Sequence, residues 1–242
     1  MRVSKGIYII GTDTEVGKTL VSAGLMHLLV KKGFNAAYFK PVASGEVDLQ
    51  GVSTSADAAF VHAVSGVNET IRQMTPFSFA DAVAPHLAAR LSGRLIDPMP
   101  IKTCLNDLKS SYDVIVAEAA GGLAVPLNDE GYMQYELIRE LKFPCLLVTR
   151  AGLGTINHTL LTLRFAESVG LTVKGIIVSG AGPTLIEQDN IAMIGKLSGI
   201  KAIFTLPVIT AVDTEKLQPG NLKEVFEQTI PIDDILRLME RV

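Results

Sequence analysis

Residues 11–19, with the sequence GTDTEVGKT, are the segment with the clearest chemical signature. They follow a short β-branched run and open a helical pattern, as a loop that holds phosphate groups does. Free N–H groups at a helix N-terminus attract an anion, and Gly17 lets the backbone approach it closely. Lys18 could neutralise phosphate oxygens, and the hydroxyl of Thr19 could bind Mg²⁺. The segment predicts a site for a nucleoside triphosphate with magnesium.

The spacing of this loop differs from the usual form. Five residues separate Gly11 from Gly17, whereas the standard pattern has four between its glycines. A plain strand-to-helix turn with an exposed lysine is the alternative interpretation. The order of strand, glycine, Gly-Lys-Thr and helix favours the phosphate loop, which by itself does not define the reaction.

Two acidic residues are candidate metal ligands. Glu118 ends an apolar run and precedes glycines, so it would lie at the carboxyl end of a strand beside the phosphate loop. A solvated strand-end carboxylate is the alternative there, and the flanking residues favour the metal. Asp57 opens a helical stretch, where local evidence favours an acid that interacts with the helix dipole.

Two further segments could bind anions at the same edge. Lys40 ends the second predicted strand, where it could reach the phosphate loop or merely make the edge soluble. Residues 152–157 precede a helix whose free amides could bind an anion, while Thr155 or Asn157 could equally be a plain helix cap. The four histidines lack the spacing of zinc ligands.

Short β-branched runs alternate with helical patterns along most of the chain. The predicted strands are residues 5–10, 36–41, 112–118, 144–150, 173–179 and 201–206, and the predicted helices include 18–32, 132–141, 155–169 and 187–197. Strands that are apolar throughout suit a sheet covered on both faces, and the alternation predicts mostly parallel pairing. Residues 43–54 are interpreted as a surface loop. The fold class is therefore α/β, in a single domain over residues 1–242.

Composition excludes several classes of protein. The 242 residues are 48% hydrophobic and 19% charged, which supports a packed core rather than a disordered chain. Two cysteines, Cys104 and Cys145, do not make a disulfide scaffold. A net charge of −3 offers no basic surface for nucleic acid, and no apolar run approaches the ~20 residues of a membrane span. We expect a soluble cytoplasmic protein, without a secretion signal, that has neither nucleic-acid nor membrane partners.

Taken together, the motifs resemble the dethiobiotin synthetase family of biotin biosynthesis. The similar segments occur in family order between residue 7 and about residue 210: residues 11–19, 40–45 (KPVASG), Asp57, Glu118 with Gly121-Gly122, 154–158 (GTINH) and Leu206-Pro207. The resemblance implies a phosphate-loop NTPase fold. It also implies an ATP- and Mg²⁺-dependent ligase that forms the ureido ring of dethiobiotin from 7,8-diaminononanoate and CO₂. The implied intermediates are a carbamate and a carbamic–phosphoric mixed anhydride.

The resemblance also implies roles for individual residues and a homodimer with shared active sites. The implied catalytic residues are Thr14, Lys18 and Lys40, and the implied metal ligands are Thr19, Asp57 and Glu118. The implied nucleotide-binding residues are Glu15, Val16, Gly17, Lys18, Thr19, Leu20, Asp57, Glu118, Gly121, Ser179, Gly180, Pro207 and Val208. The implied substrate-binding residues are Thr14, Lys40, Ser44, Gly154, Thr155, Ile156 and Asn157.

The chain departs from the family pattern at two places. Ala119 stands where the family has glycine after the strand-end glutamate, and a methyl group there restricts the backbone. The family's Asn-Asp pair, which contacts adenine, is replaced by Ser179-Gly180. Since serine cannot match both edges of a base as an amide can, we expect weaker base selectivity.

Two other functions fit parts of the pattern less well. An amidoligase acting on a corrin-type acid needs a glutaminase domain, for which 242 residues leave no room. A partitioning ATPase usually has an extra lysine early in the loop, where this chain has Thr12 and Asp13. Residues 230–242 are also too acidic for an anchor on an anionic membrane.

Overall fold

The structure, a computed structural model, describes residues 4–67 and 70–242. Strands and helices alternate along most of the chain. The strands are β1 (Lys5–Gly11), β2 (Ala36–Phe39), β3 (Val42–Ser44), β4 (Glu46–Leu49), β5 (Val52–Ser55), β6 (Phe77–Phe79), β7 (Val114–Glu118), β8 (Cys145–Arg150), β9 (Val173–Ser179), β10 (Ala202–Leu206) and β11 (Glu240–Arg241). The helices are α1 (Lys18–Lys31), α2 (Ala56–Ser65), α3 (Ile71–Met74), α4 (Pro85–Ser92), α5 (Pro98–Ser111), α6 (Gln134–Leu141), α7 (Thr155–Ser168), α8 (Leu185–Ser198), α9 (Leu222–Thr229) and α10 (Ile232–Leu238).

The central sheet has the strand order β10-β9-β8-β1-β7-β2, and neighbours along this path are parallel. Strand β11 adds a short antiparallel pair to the start of β1. The registers place Ile9 beside Glu118, and Phe39 beside Ala117. The strand ends therefore meet at one edge, which is where ligands bind in open α/β sheets.

Each face of the sheet supports its own hydrophobic core. Ile7 and Ile9 pack on one face with α1, α2, α9 and α10, while Tyr8 and Ile10 pack on the other with α4–α8. This alternation follows from the period of two along a strand. The predicted fold class, α/β with a mostly parallel sheet and helices on both faces, is confirmed.

The predicted surface loop at residues 43–54 is wrong. Strand β3 pairs in parallel with β6, and β4 forms an antiparallel hairpin with β5. Gln50 and Gly51 close the hairpin, both with positive φ (57° and 83°), as a two-residue turn of type I′ requires. The polar composition that indicated a loop belongs to an exposed hairpin.

The other predicted strands agree with the structure to within two residues. The strand predicted at 36–41 ends at Phe39, because the amide of Lys40 donates to the carbonyl of Met74 at 2.8 Å, not to β7. Among the described residues, no helix is both long and apolar enough to span a lipid bilayer.

Candidate active site

The predicted phosphate loop connects β1 to α1. Gly17 is the N-cap of α1 with φ +98° and no side-chain cap, so the first amides of the helix remain available for an anion. A Cβ at this position would lie 2.8 Å from the Oγ of Ser179. Both the backbone angle and the neighbour therefore require glycine here.

Lys18 is a buried cation at the start of α1. Its Nζ donates to the carbonyl oxygen of Asp13 at 2.8 Å. Burial and the nearby Lys40 ammonium lower the pKa of Lys18 to about 8, although the carboxylates of Glu118 and Asp57 oppose the shift. An anion in the loop would relieve this cost, because it would compensate a positive charge held away from water.

Four polar side chains converge next to Lys18. The hydroxyl of Thr19 donates to Asp57 Oδ1 at 2.6 Å and lies 3.0 Å from Glu118 Oε1. Lys40 Nζ lies 2.8 Å from Glu118 Oε1 and forms a second ion pair with Asp57. The structure thus brings together residues from four separate segments of the sequence.

The sheet explains this convergence. Lys40 follows β2 and Glu118 ends β7, and these two strands are parallel neighbours. Asp57 lies in the first turn of α2, which packs along α1. The interpretation of Asp57 as an acid near a helix N-terminus is correct as far as it goes, and its carboxylate also faces the site.

The charges in this cluster compensate each other. Lys40 is 4% exposed and Glu118 is fully buried. Burial alone would lower the pKa of Lys40, but the Asp57 and Glu118 carboxylates outweigh it and hold that pKa above its usual range. Burial likewise opposes ionisation of Asp57, yet Lys40 and Thr19 keep the pKa of Asp57 below its usual range. Lys40 and Asp57 are therefore both charged at neutral pH.

The oxygen atoms of Thr19, Asp57 and Glu118 suit a hard cation. Magnesium takes one or two carboxylates from a protein and completes its shell with phosphate oxygens and water. No cluster of three or more His, Cys, Asp or Glu residues that could hold a metal occurs in the described part of the chain. The donor set fits magnesium bound together with a nucleotide, not a metal held by protein alone.

Tyr38 is a site residue that the sequence analysis missed. Its hydroxyl donates to Glu118 Oε2 at 2.8 Å, and both side chains are fully buried. Burial and the Glu118 carboxylate raise the pKa of Tyr38 well above its usual range, so the hydroxyl stays a donor. The period of two along β2 indicates only that residues 38 and 40 share one face of the strand, because the partner of Tyr38 depends on the register with β7.

The N-terminus of α7 is a second candidate anion site, although the amide of Thr155 already donates to the carbonyl of Gly152 at 3.3 Å. Gly154 is its N-cap with φ +88°, and no side chain caps the helix. The interpretation of Thr155 or Asn157 as a plain helix cap is wrong, because the Thr155 hydroxyl instead bonds to the carbonyl of Arg150 and to Thr149. The Thr149 hydroxyl also lies 3.4 Å from that of Thr12, which links α7 to the phosphate loop.

A cavity of about 520 Å³ lies beyond β9 and β10. Its lining residues are Ala181, Gly182, Pro183, Gln188, Ile191, Thr205, Pro207 and Thr229. Ser179 lies at the end of β9 against Gly17, and Gly180 follows it with φ +70°. Val208 is 59% exposed and does not line the cavity. The predicted base-binding segments are thus close to the loop and to this cavity.

The other predicted residues occupy varied positions. The Oγ1 of Thr14 would be 3.4 Å from a Cβ at Gly121, so these two lie side by side. Val16 is buried in the core, which leaves only its backbone for a nucleotide. Ser44 ends β3, and no described hydrogen bond joins it to the Lys40 cluster.

Three residues complete this comparison. Glu15 is exposed with φ +57°, and Leu20 packs partly against the core. Ala119 is 1% exposed in the opposite core, so its methyl group packs among apolar side chains. The substitution at this position therefore leaves the site's polar cluster unobstructed.

Comparisons with known proteins give the same picture. A protein-family model described as "AAA domain" matches residues 5–216. The chain is 37% identical to the ATP-dependent dethiobiotin synthetase BioD of Clostridium kluyveri, over 99% of this chain and 100% of that protein. It is 38% identical to the protein of the same name from Clostridium acetobutylicum, over 98% and 100%.

The fold resembles that of the septum site-determining protein MinD from Pyrococcus horikoshii, solved with Mg-ADP. The TM-score is 0.58 at 17% sequence identity, covering 92% of this chain and 93% of that one. Similarity at this level of identity concerns the fold alone, and it agrees with the α/β architecture described above.

Proposed function

The chain belongs to the ATP-dependent dethiobiotin synthetase family, and we propose that it closes the ureido ring of dethiobiotin from 7,8-diaminononanoate, CO₂ and ATP. One observation carries the proposal. Thr19, Lys40, Asp57 and Glu118 are joined by hydrogen bonds and ion pairs, next to the buried Lys18 and the free amides of the phosphate loop. This arrangement suits phosphoryl transfer, in which catalysis is mostly positioning and charge compensation.

The reaction has three chemical steps. One substrate amine adds to CO₂ and loses a proton, which gives a carbamate. A carbamate oxygen attacks the γ-phosphorus of ATP, and ADP leaves, which gives a carbamic–phosphoric mixed anhydride. The second amine attacks the carbamate carbon, loses a proton and releases phosphate. The products are dethiobiotin, ADP and inorganic phosphate.

The two buried lysines would compensate the negative charge of the phosphates and the carbamate during these steps. Lys18 would leave the Asp13 carbonyl and bind phosphate oxygens, which would compensate its own desolvation. Lys40 would hold the carbamate and the transferred phosphoryl group as a fixed cation. Thr14, beside Gly121, would hold the carbamate from the loop side.

Magnesium would be held by Thr19, Asp57 and Glu118, and it would supply charge neutralisation on the phosphate oxygens. The hydroxyl of Thr19 already lies between the two carboxylates. Glu15, Val16, Gly17 and Leu20 would contact the phosphates through the backbone of the loop and of the first turn of α1.

We assign the remote carboxylate of the substrate to a second subunit, in a homodimer with shared active sites. The residues concerned are Gly154, Thr155, Ile156 and Asn157, with Ser44 contacting the diamine. The uncapped N-terminus of α7 supports this assignment. Two exposed leucines also support it: Leu153, just before the helix, is 95% exposed, and Leu161, on the helix, is 62% exposed. The substrates are small and water-soluble, which suits a cytoplasmic enzyme.

Base selectivity should be weak in this chain. Ser179 offers one hydroxyl where the family has an amide, and Gly180 offers no side chain. Pro207 would contact the base from the cavity and Val208 from the loop that follows it. CTP and GTP are expected to support ring closure at more than a hundredth of the rate with ATP.

Fixation of labelled bicarbonate tests the function. Purified protein receives 7,8-diaminononanoate, Mg²⁺ and ¹⁴C-bicarbonate with ATP, CTP or GTP in separate tubes. Acid-stable label that requires both nucleotide and diamine is the expected result. ATP turnover without acid-stable label would rule out the proposed synthetase function. Stimulation of that ATP hydrolysis by DNA or lipid would then indicate a partner-regulated ATPase.

A further inference from the structure

We propose that Tyr38 is a positioning residue, which fixes the orientation of the Glu118 carboxylate and thereby the affinity of the site for the metal–nucleotide complex. The inference rests on the proposed function. Tyr38 would touch neither substrate nor metal, because its hydroxyl is taken up by the far oxygen of Glu118.

The two oxygens of Glu118 have different partners. Oε1 accepts from Lys40 Nζ at 2.8 Å and lies 3.0 Å from the Thr19 hydroxyl oxygen, so it faces the phosphate loop. Oε2 receives the Tyr38 hydroxyl at 2.8 Å and faces β2. Because a carboxylate is planar, fixing Oε2 also fixes where Oε1 points.

The position of Tyr38 in the sheet explains the contact. Tyr38 pairs with Val116 in the register of β2 and β7, and Glu118 lies two residues further along the same face. Such diagonal neighbours are within reach of a long aromatic side chain. Only a residue of this length with a terminal donor could satisfy Oε2 from β2.

Burial makes the contact consequential. Glu118 and Tyr38 are both fully buried, so water cannot replace the hydroxyl. Without it, the carboxylate would rotate to share the remaining donor, Lys40, between both oxygens. That rotation would withdraw Oε1 from the position in which it faces the loop.

The test compares Tyr38→Phe with Tyr135→Phe, which loses a hydroxyl from a ring that packs edge-on against Phe165 in the other core. Isothermal titration measures the affinity for ADP with and without Mg²⁺. The quantity of interest is the Mg²⁺ concentration at which half of the Mg²⁺-dependent gain in ADP affinity is reached. For Tyr38→Phe, we expect this concentration to rise at least ten-fold. ADP affinity without Mg²⁺ should stay within two-fold, and Tyr135→Phe should match the parent. A folded Tyr38→Phe protein whose Mg²⁺ requirement stays within two-fold of the parent would overturn the proposal.

A second pair of variants tests whether Tyr38 acts through Glu118. Glu118→Gln should raise the Mg²⁺ requirement, and adding Tyr38→Phe to it should change that requirement no further. Additive effects would contradict the proposal. If Tyr38→Phe alone fails to fold, the double variant should fold, because a neutral amide tolerates the lost donor better than a carboxylate does. Failure of the double variant, with Glu118→Gln folded, would also overturn it. None of these binding measurements requires ring closure, so they remain decisive if the proposed reaction is wrong.

Discussion

Lys40 shows how a single residue can join stability to function. It is the cation between Asp57 and Glu118, and all three side chains depend on each other for compensation. Removing one partner of a buried ion pair leaves an uncompensated charge, which typically costs about 3–5 kcal/mol. The same cation is proposed to hold the carbamate. A variant at this position should therefore lose both stability and activity.

We expect Lys40→Met to lower the free energy of unfolding by about 3 kcal/mol and kcat by at least about 100-fold. Urea denaturation and steady-state assays measure the two effects. Lys196→Met is the control, because Lys196 is exposed on α8. A Lys40→Met protein whose free energy of unfolding is within 1 kcal/mol of the parent's would contradict the view that Lys40 compensates the charges of Asp57 and Glu118.

The raised pKa values of the two cysteines predict how the rate of their alkylation depends on pH. Burial, with a contribution from Asp107, raises the pKa of Cys104 to about 11, and burial raises that of Cys145 to about 12. A raised thiol pKa means that the unreactive protonated form persists to higher pH. At pH 8, Cys104 should react with iodoacetamide about 100-fold more slowly than an unshifted thiol, which is two pKa units.

Mass spectrometry of the alkylated protein measures this rate between pH 7 and pH 10. The rate at Cys104 should rise about ten-fold per pH unit throughout, since the range lies below its pKa. Fully buried Cys145 should stay unmodified in the folded protein. A rate at Cys104 that levels off before pH 10 would show that its thiol is not shifted upward.

At the scale of elements, the phosphate loop depends on its backbone at Gly17. Gly17→Ala would combine a positive φ with a Cβ 2.8 Å from Ser179 Oγ. Gly33→Ala is the matched control, because Gly33 has φ +81° and no atom within 4 Å of its Cβ position. Both variants should lose about 1 kcal/mol of stability through strain.

Only Gly17→Ala should also weaken ADP binding, by at least about ten-fold, because the contact of the methyl group with Ser179 would shift the loop whose amides are proposed to hold the phosphates. Titration calorimetry measures the binding, and thermal denaturation measures the shared strain. Equal ADP affinities for the two alanine variants would show that the approach of the backbone to the phosphates is not limiting.

The sequence predicted the central strands well because they are buried on both faces. Their continuous apolar runs, such as Cys145–Val148 in β8, indicate a strand without any help from tertiary contacts. The hairpin of β4 and β5 could not be found in this way, since its polar residues are partly exposed. The first residue of its turn, Gln50, also adopts a positive φ that side chains usually avoid.

The site was predictable in part. The motif alone placed Lys18 and Thr19 together, and their strand-end positions indicated that Glu118 and Lys40 could lie beside the loop. The role of Asp57 in the site followed only from the family resemblance. Neither the motif nor the family resemblance indicated Tyr38, because a tyrosine in an apolar strand is usually a core residue. Its role depends on the register between β2 and β7, which a single sequence does not reveal.

At the scale of the whole molecule, the proposed dimer should depend on the exposed leucines beside α7. We expect Leu153→Asp with Leu161→Asp to raise the dimer dissociation constant at least 100-fold, because charges would replace apolar contact. Activity should fall with it if the partner's α7 binds the substrate. Leu95→Asp is the control, since Leu95 is 74% exposed outside α7. Sedimentation equilibrium that leaves the double variant dimeric would place the interface elsewhere.

The fate of the CO₂ oxygens tests the account most directly. In a single turnover with C¹⁸O₂, 7,8-diaminononanoate and unlabelled ATP, one carbamate oxygen passes to the γ-phosphorus and the other stays in the ureido carbonyl. Mass spectrometry should therefore find one ¹⁸O in inorganic phosphate for each ¹⁸O-labelled dethiobiotin, after a measured correction for exchange with water. Dethiobiotin formed with unlabelled phosphate would contradict the proposal that this site activates a carbamate by phosphoryl transfer.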